Sequence, residues 1–281
     1  MSRKKTVLII ILAILLVIGF NFLNAMIINP SNYQVKYINI KDEDVPESFQ
    51  DFSIMFISDV EFGTYFKNDR LTKLTNMINA TQADIVIFGG DLFDKAYSPL
   101  TQDATALTDA LKSISAPYGK FAILGDFDKV SEQRLALVKK ILSDADFELL
   151  QDNPLTIHRG SSEHINLIGF DFNIDDIDPS DSFANISASD FTVSVIHGAR
   201  YAASMPLQLS DITVSGHAHH MQVNFPFFID YLAYPFTGKY GTGKYSLTNT
   251  DLYISNGVGT TARDYRLFCD PQVLFFRLSN K

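Results

Sequence analysis

The stretch DIVIFGGDLFD, residues 84–94, runs from four consecutive apolar residues into a glycine pair and Asp91. An uninterrupted run of isoleucine, valine and phenylalanine is typical of a strand that is buried on both faces. The glycines then allow a tight turn at the end of the strand. Functional side chains of α/β domains gather at such strand ends, because carboxylates and imidazoles can converge there without being buried alone.

Four further polar motifs follow apolar runs in the same way: SDVE at 58–61, GDFD at 125–128, IHG at 196–198 and GHAHH at 216–220. Each of these motifs, taken alone, is equally typical of an ordinary turn. The last motif holds three of the six histidines of the chain within four residues, which favours metal ligation over a solvated loop. Taken in order, the motifs predict one site built from several strand ends.

Strands are predicted wherever apolar and β-branched runs recur, and helical patterns separate the early ones. The runs cover 52–57, 84–89, 120–125, 165–170, 191–196, 211–216, 251–255 and 272–278, and the helical patterns cover 69–81, 105–114 and 131–145, with Ser131 as a helix cap. Strands that alternate with helices predict βαβ units. After about residue 150 helical patterns become scarce, so we expect a second, more antiparallel sheet packed against the first.

The segment TVLIIILAILLVIGFNFLNAMII, residues 6–28, carries no charge. At about 1.5 Å per residue it is long enough to cross a bilayer core of roughly 30 Å. Basic residues occupy 3–5 and the next charge is Lys36, so the positive-inside rule predicts a single-pass protein of a bacterial cell membrane, with a cytoplasmic N-terminus and an extracytoplasmic domain. A core helix and a signal peptide cut after Ala25 are the alternatives, although Leu23 suits such a cut poorly.

Three segments are predicted along the chain. Residues 1–28 form a cytoplasmic tip and transmembrane anchor, residues 29–50 form a stalk with a possible edge strand in YQVKYINI, and residues 51–281 form one domain. The net charge of −9 argues against a nucleic-acid partner and suits bound cations. Cys269 is the only cysteine of the sequence, so no internal disulfide can form.

The candidate metal ligands arrive from five strand ends. At two of these ends a pair of ligands lies two residues apart, so both side chains point the same way on an extended backbone. Seven ligands with one shared carboxylate suit two divalent cations better than one. The ligands are Asp59, Glu61, Asp91, Asp126, His197, His217 and His219.

In the order of these motifs the chain resembles the calcineurin-like metallophosphoesterases, specifically the small bacterial membrane-anchored type, from about residue 33 onwards. The late segment LYISNGVGTTARDYRLFCDPQVLFFRL, residues 252–278, is similar to the closing strands of that subgroup. The resemblance implies a four-layer α/β/β/α sandwich of two mixed β-sheets flanked by helices. It also implies hydrolysis of a phosphate ester or pyrophosphate by metal-activated water at a dinuclear site, with a phosphate-containing small molecule or a lipid-linked compound as substrate.

The family motifs run D-x-H, G-D, G-N-H-D/E, H and G-H-x-H, and they imply a role for each ligand. On that pattern Asp91 bridges the two metals, and Asp91 and His217 are the catalytic residues. The first metal would be held by Asp59, Glu61, Asp91 and His219, and the second by Asp91, Asp126, His197 and His217.

Three positions depart from the family motifs. Glu61 stands for the histidine of D-x-H, and Asp126 and Phe127 stand for Asn-His of G-N-H-D/E. The added carboxylates can still bind metal and favour Mn²⁺ or Mg²⁺ over Zn²⁺. Phe127, however, cannot stabilise a transition state or protonate a leaving group. A catalytically degenerate relative, acting as a metal-binding or scaffold module at the membrane, is therefore the alternative, and a structural domain without metal is a third.

Two arginines in the late glycine-rich segment, Arg263 and Arg266, are candidates for substrate binding, because a guanidinium donates two parallel hydrogen bonds to phosphate. The alternative is a surface arginine paired with Asp264 or Asp270. Asp128, which follows Phe127, is expected to bond to the backbone or to a neighbouring ligand and to have a structural role rather than a catalytic one.

Overall fold

The computed structural model describes residues 3–170, 179–203, 209–218, 222–224, 239–248 and 250–280. The helices in these residues are α1 (Arg3–Ile27), α2 (Asn68–Thr81), α3 (Thr101–Lys112), α4 (Glu132–Asp144) and α5 (Pro179–Ser182). The strands are β1 (Gln34–Lys41), β2 (Ser53–Ile57), β3 (Ile85–Phe88), β4 (Lys120–Ala122), β5 (Phe147–Leu149), β6 (Leu155–His158), β7 (His164–Phe170), β8 (Thr192–Gly198), β9 (Ile212–Gly216), β10 (Gly243–Ser246), β11 (Asp251–Ile254) and β12 (Gln272–Ser279).

The strands form two mixed six-stranded sheets, in the orders β1-β12-β2-β3-β4-β5 and β10-β11-β9-β8-β7-β6. In the first sheet only β12 and β2 pair antiparallel. In the second sheet the inner strands are parallel, and antiparallel pairing is confined to the outer pairs β10–β11 and β6–β7. The predicted pair of mixed sheets flanked by helices is confirmed. The more antiparallel character expected of the second sheet holds only at its edges, because its inner strands are buried on both faces.

Three apolar layers hold the sheets and helices together. The layer between the two sheets joins side chains such as Phe56 and Ile87 to Leu167, Val195 and Val214. A second layer packs α2, α3 and α4 on the outer face of the first sheet. A third covers the outer face of the second sheet with Phe183 and Ile186, which follow α5, and with Ala199 and Ala202 of a short 3-10 helix (Ala199–Ala203). Burial of this apolar surface is the main stabilising contribution to the fold.

Local capping explains where two of the helices begin. The Ser131 hydroxyl accepts a hydrogen bond of 3.1 Å from the Arg134 amide, as expected for a helix cap. Helix α3 begins at Thr101, before the predicted residue 105, because the Asp103 carboxylate accepts a hydrogen bond of 2.7 Å from the Leu100 amide and closes the first turn.

Helix α1 is long and apolar enough to cross a membrane, and it is the one such helix among the described residues. A signal sequence or a core helix would pass the same test, but no residue in the most apolar window of α1 is buried. Strand β1, from the predicted stalk, lies at the edge of the first sheet and pairs parallel with β12 from Gln34 to Lys41. The division into anchor, stalk and domain stays a prediction.

Candidate metal centre

Loops after β2 and β3 lie side by side at one edge of the sheets. The Asp59 amide donates to the Gly90 carbonyl at 2.9 Å, and the Glu61 amide donates to the Asp91 carbonyl at 3.0 Å. The loop after β4 approaches so closely that a Cβ on Gly125 would lie 2.0 Å from Asp91 Oδ1. Glycine is required there, because any side chain would displace the Asp91 carboxylate.

Four of the predicted ligands converge at this edge. The ligand atoms of Asp91, Asp126, His197 and His217 all lie within 4.8 Å of one another. His197 Nε2 lies 3.2 Å from Asp91 Oδ2 and 3.4 Å from Asp126 Oδ1. His217 Nδ1 lies 3.2 Å from both Asp126 Oδ1 and His197 Nε2. These four residues are the set that the family pattern implies for the second metal.

A backbone carbonyl orients the His197 ring. His197 is buried, and its Nδ1 lies 2.7 Å from the Gly89 oxygen, which can only accept a hydrogen bond. Nδ1 therefore carries the proton, and the lone pair of Nε2 faces Asp91 and Asp126 when the ring is neutral. This arrangement is the one that metal-binding histidines use. No sequence pattern identifies this carbonyl as part of the site, because every residue has one.

The carboxylates and imidazoles of the cluster shift one another's pKa values. Burial lowers the pKa of His197, but the charge of Asp91 and hydrogen bonds to Asp126 and Asp91 outweigh burial and raise it well above its usual value. Burial raises the pKa of Asp126, but hydrogen bonds to His197 and His217 outweigh it and hold the pKa below its usual range. The carboxylates of the cluster thus favour a positive charge between them, which a protonated imidazole or a bound cation can carry.

Asp128 ties the loops after β3 and β4 together, as the sequence predicted for a structural residue. Its Oδ2 accepts hydrogen bonds from the amides of Asp91, at 2.8 Å, and Gly125, at 2.9 Å. Its Oδ1 accepts from the Leu92 amide at 2.9 Å. Burial, followed by the charge of Asp91, raises the pKa of Asp128 to about 7 against the lowering effect of these amides. The three hydrogen bonds of Asp128 thus hold the backbone of Asp91 and Leu92 close to the loop after β4.

Four of the predicted ligands adopt left-handed backbone conformations. Their φ values are 56° at Asp59, 47° at Glu61, 60° at Asp91 and 64° at His217. Such values are uncommon outside glycine and cost most for the larger side chains. Strained residues cluster at functional sites, where the surrounding structure holds them in place.

The residues implied for the first metal are described only in part. Asp59 and Glu61 are fully buried beside the four-residue cluster, and both oxygens of Asp59 accept from the His217 amide at 3.1 Å. His219 lies outside the described residues. The roles of all seven ligands, and of Asp91 and His217 in catalysis, stay predictions.

Phe127 contacts the centre through its backbone. Its amide donates to Asp91 Oδ1 at 2.9 Å, while its half-buried ring packs under the Lys95 ammonium at 5.4 Å. The side chain at this position therefore contributes no ligand and no proton donor, and the backbone contributes one hydrogen bond to the shared carboxylate.

The two candidate arginines lie in different environments. Arg266 is fully buried, and its Nη1 donates to the carbonyls of Asn256 at 3.0 Å and Cys269 at 3.3 Å, while its Nη2 donates to those of Gly257, at 3.2 Å, and Gly259. These bonds commit the guanidinium to the protein interior and argue against phosphate binding by Arg266. Arg263 is exposed. Substrate binding by Arg263 stays a prediction.

The sequence profile described as "Calcineurin-like phosphoesterase" matches residues 52–221, which include all seven predicted ligands. The chain belongs to this family. It is accordingly a phosphoesterase, that is, a hydrolase, and the resemblance seen in its motifs is confirmed.

Several bacterial members of the family resemble the chain along most of its length. "Uncharacterized metallophosphoesterase YkuE" of Bacillus subtilis (strain 168) is 25% identical over 258 residues, which are 91% of this chain and 89% of that protein. "UDP-2,3-diacylglucosamine pyrophosphatase LpxG" of Chlamydia muridarum is 22% identical over 279 residues, covering 80% of this chain and 82% of that protein. Among solved structures, a dimetal phosphatase from Danio rerio overlaps 74% of this chain and 88% of that one, at 10% identity and a TM-score of 0.41.

Proposed function

We propose that this family member is a membrane-anchored, metal-dependent phosphoesterase that hydrolyses a phosphate ester or pyrophosphate at a dinuclear site. The observation that carries the proposal is the convergence of Asp91, Asp126, His197 and His217, with ligand atoms within 4.8 Å of one another. Two carboxylates and two imidazoles form a donor set that binds divalent cations. Glu61 and Asp126 add oxygen ligands, which favour Mn²⁺ or Mg²⁺ over Zn²⁺.

Each side chain of the centre has its own role in the proposed hydrolysis. When bound, two cations polarise the phosphoryl group and activate water for attack. Asp91 is the carboxylate that both ligand sets share, and the Phe127 and Asp128 contacts orient it. His217 is half-buried, so part of its ring is accessible to a substrate. Hydrolysis forms a bond from water oxygen to phosphorus and breaks the bond to the leaving oxygen, which takes up a proton.

Membrane attachment and the substrate class complete the proposal. Helix α1 provides the single-pass anchor, with the N-terminus in the cytoplasm and the catalytic domain outside. Tethering of this kind suits a lipid-linked phosphate compound. The relative LpxG is named as a pyrophosphatase whose substrate carries two acyl groups, which supports the same substrate class.

A turnover assay tests the enzymatic proposal. The full chain in detergent is supplied with Mn²⁺, Mg²⁺ or Zn²⁺ and with bis(p-nitrophenyl) phosphate, and Asp91→Ala serves as the control. We expect Mn²⁺-dependent release of p-nitrophenol that the Asp91→Ala variant lacks. No release above that control with any of the three cations would reject the enzymatic function.

Phe127 supports a second candidate, a degenerate relative that binds metal at the membrane without turnover. The double substitution Asp126→Asn, Phe127→His restores the family motif and separates the two candidates. A working site adapted to Asp126 is expected to lose activity, because its second metal loses a carboxylate ligand. A gain of activity from an inactive wild type would instead support the degenerate candidate.

A further inference from the structure

The C-terminal end of α1 binds directly to the loop that follows β11. We call residues 256–270 the rim loop. The Arg266 amide donates to the Ala25 carbonyl at 2.9 Å, and the Asn29 side-chain amide donates to the Arg266 carbonyl at 3.0 Å. Within α1, all of which is described, Ala25 alone is buried. The helix end and the rim loop are therefore packed together.

The same loop contacts the metal centre. The Gly259 amide donates to the Asp59 carbonyl at 2.7 Å, and a Cβ on Gly257 would lie 2.8 Å from Asp59 Cβ. On its other side, the Leu267 amide donates to the Gln222 carbonyl at 2.9 Å, a few residues after His217. One loop thus joins the end of α1 to Asp59, beside the candidate metal centre. The anchor and the centre lie at the same edge of the sheets.

The exposed surface beside the helix end includes aromatic, basic and aliphatic side chains. Phe268, in the rim loop, is 53% exposed and has a φ of 54°, an unusual conformation for a bulky residue. Arg263 of the same loop is exposed, and Ile27 and Ile28 at the end of α1 are 70% and 57% exposed. Aromatic and basic side chains that flank an apolar helix are favoured at the level of lipid headgroups.

We propose that the rim loop rests on the bilayer surface, with Phe268 inserted among the lipids, and that the metal centre acts on a phosphate group carried by a membrane lipid. This inference rests on the proposed function and on α1 as an anchor. It goes further, because an anchor alone would permit a centre that faces away from the membrane. A centre at the edge where the helix ends meets phosphate groups at headgroup depth.

Fluorescence quenching tests the contact without any need for activity. The chain contains no tryptophan, so one introduced tryptophan supplies all the indole emission. Three full-length variants are reconstituted in vesicles of phosphatidylcholine brominated near the headgroup end of its acyl chains. Phe20→Trp lies in α1, Phe268→Trp lies in the rim loop, and Tyr118→Trp lies before β4, at the opposite edge of the first sheet.

We expect brominated lipid to quench the indole emission of the Phe20→Trp and Phe268→Trp variants, while the emission of Tyr118→Trp stays unchanged. The emission of Phe268→Trp should also be blue-shifted relative to the same variant unfolded in urea. Quenching at position 20 without quenching at position 268 would overturn the inference and leave the anchor in place. Absence of quenching at all three positions would reject the anchor and the contact together. Equal quenching at positions 118 and 268 would also contradict a directed contact.

A pair of substrates tests the lipid assignment. Hexadecyl p-nitrophenyl phosphate in phosphatidylcholine vesicles is compared with bis(p-nitrophenyl) phosphate in solution, using the wild type and Phe268→Asp. Aspartate tolerates a left-handed conformation, so this variant is expected to fold. The ratio of the vesicle rate to the solution rate should fall about tenfold in Phe268→Asp, because an apolar side chain is lost from the bilayer contact.

The results separate this inference from the proposed function. A wild type that hydrolyses the soluble diester but not the vesicle substrate, relative to Asp91→Ala, would overturn the lipid assignment alone. A wild type that hydrolyses neither substrate would reject the proposed function and the lipid assignment, while quenching still decides the contact. An unchanged rate ratio in Phe268→Asp would remove Phe268 from the contact and contradict the inference.

Discussion

The carboxylate of Asp128 accepts hydrogen bonds from three backbone amides in two different loops. Alanine at this position would leave these buried amides without their acceptor and would release the Asp91 loop. Because contacts that orient a metal ligand commonly change affinity by about 10- to 100-fold, we expect Mn²⁺ to bind Asp128→Ala at least about tenfold more weakly. Isothermal titration with Mn²⁺ measures this. The exposed Asp109→Ala is the matched control, and equal affinities in both variants would contradict the role of Asp128.

Arg266 and Arg263 differ in burial, so their substitutions separate stability from binding. Leucine at 266 removes the donors to the carbonyls around the rim loop, and each buried acceptor left without its donor costs about 1–3 kcal/mol. We therefore expect Arg266→Leu to lower the free energy of unfolding in urea by about 3 kcal/mol. Arg263→Leu should leave stability nearly unchanged and, if Arg263 binds phosphate, raise KM. Similar stability losses in both variants would be inconsistent with their different environments.

Asp211 gives the stability a pH dependence away from the metal centre. Burial raises its pKa from 3.8 to about 6, against the lowering effect of the Thr192 amide. The folded state holds this proton more tightly than the unfolded state does. The contribution of Asp211 to the free energy of unfolding is therefore fully present below pH 3.8 and is lost as the pH rises through about 6. Asp211→Asn should flatten this part of a plot of unfolding free energy against pH. If the slope of unfolding free energy against pH persists in Asp211→Asn, groups other than Asp211 cause it.

At the scale of elements, the centre depends on loops that approach too closely for side chains. Alanine at 125 would place its Cβ 2.0 Å from Asp91 Oδ1, so Gly125→Ala should abolish both metal binding and turnover. Gly160 provides a control, because its φ of 65° is also strained for alanine but its surroundings are open. Gly160→Ala should cost about 1 kcal/mol of stability and leave Mn²⁺ binding unchanged. Normal metal binding by Gly125→Ala would contradict the geometry.

Eight of the strands were predictable, because buried strands are continuous apolar runs that the sequence displays directly, and the alternation in YQVKYINI indicated β1 as a possible edge strand. The sequence did not predict β5, β6 and β10, which are three or four residues long and alternate between partly buried and exposed positions. Strands this short depend on a neighbouring strand for their pairing, and no local pattern distinguishes them from loops.

The centre was predictable in its residue types but not in its supporting contacts. Polar residues at strand ends led to the cluster that the structure brings together around Asp91 and His197. The Gly89 carbonyl that orients His197 and the interior position of Arg266 depend on how distant loops pack, which the sequence does not display. The contact of Phe127 with Asp91 was also not predictable from the sequence, because it is made by the backbone amide and not by the side chain.

At the scale of the whole molecule, two sheets present their strand ends at one edge, and the candidate centre and the end of α1 meet at that edge. The central claim is that this centre holds two divalent cations, with Asp91 shared between them. The number of Mn²⁺ ions that remain bound per purified full-length chain, counted by atomic emission, tests it most directly. We predict two ions in the wild type and fewer than one in Asp91→Ala, whereas a wild type that binds only one Mn²⁺, or none, would contradict the account.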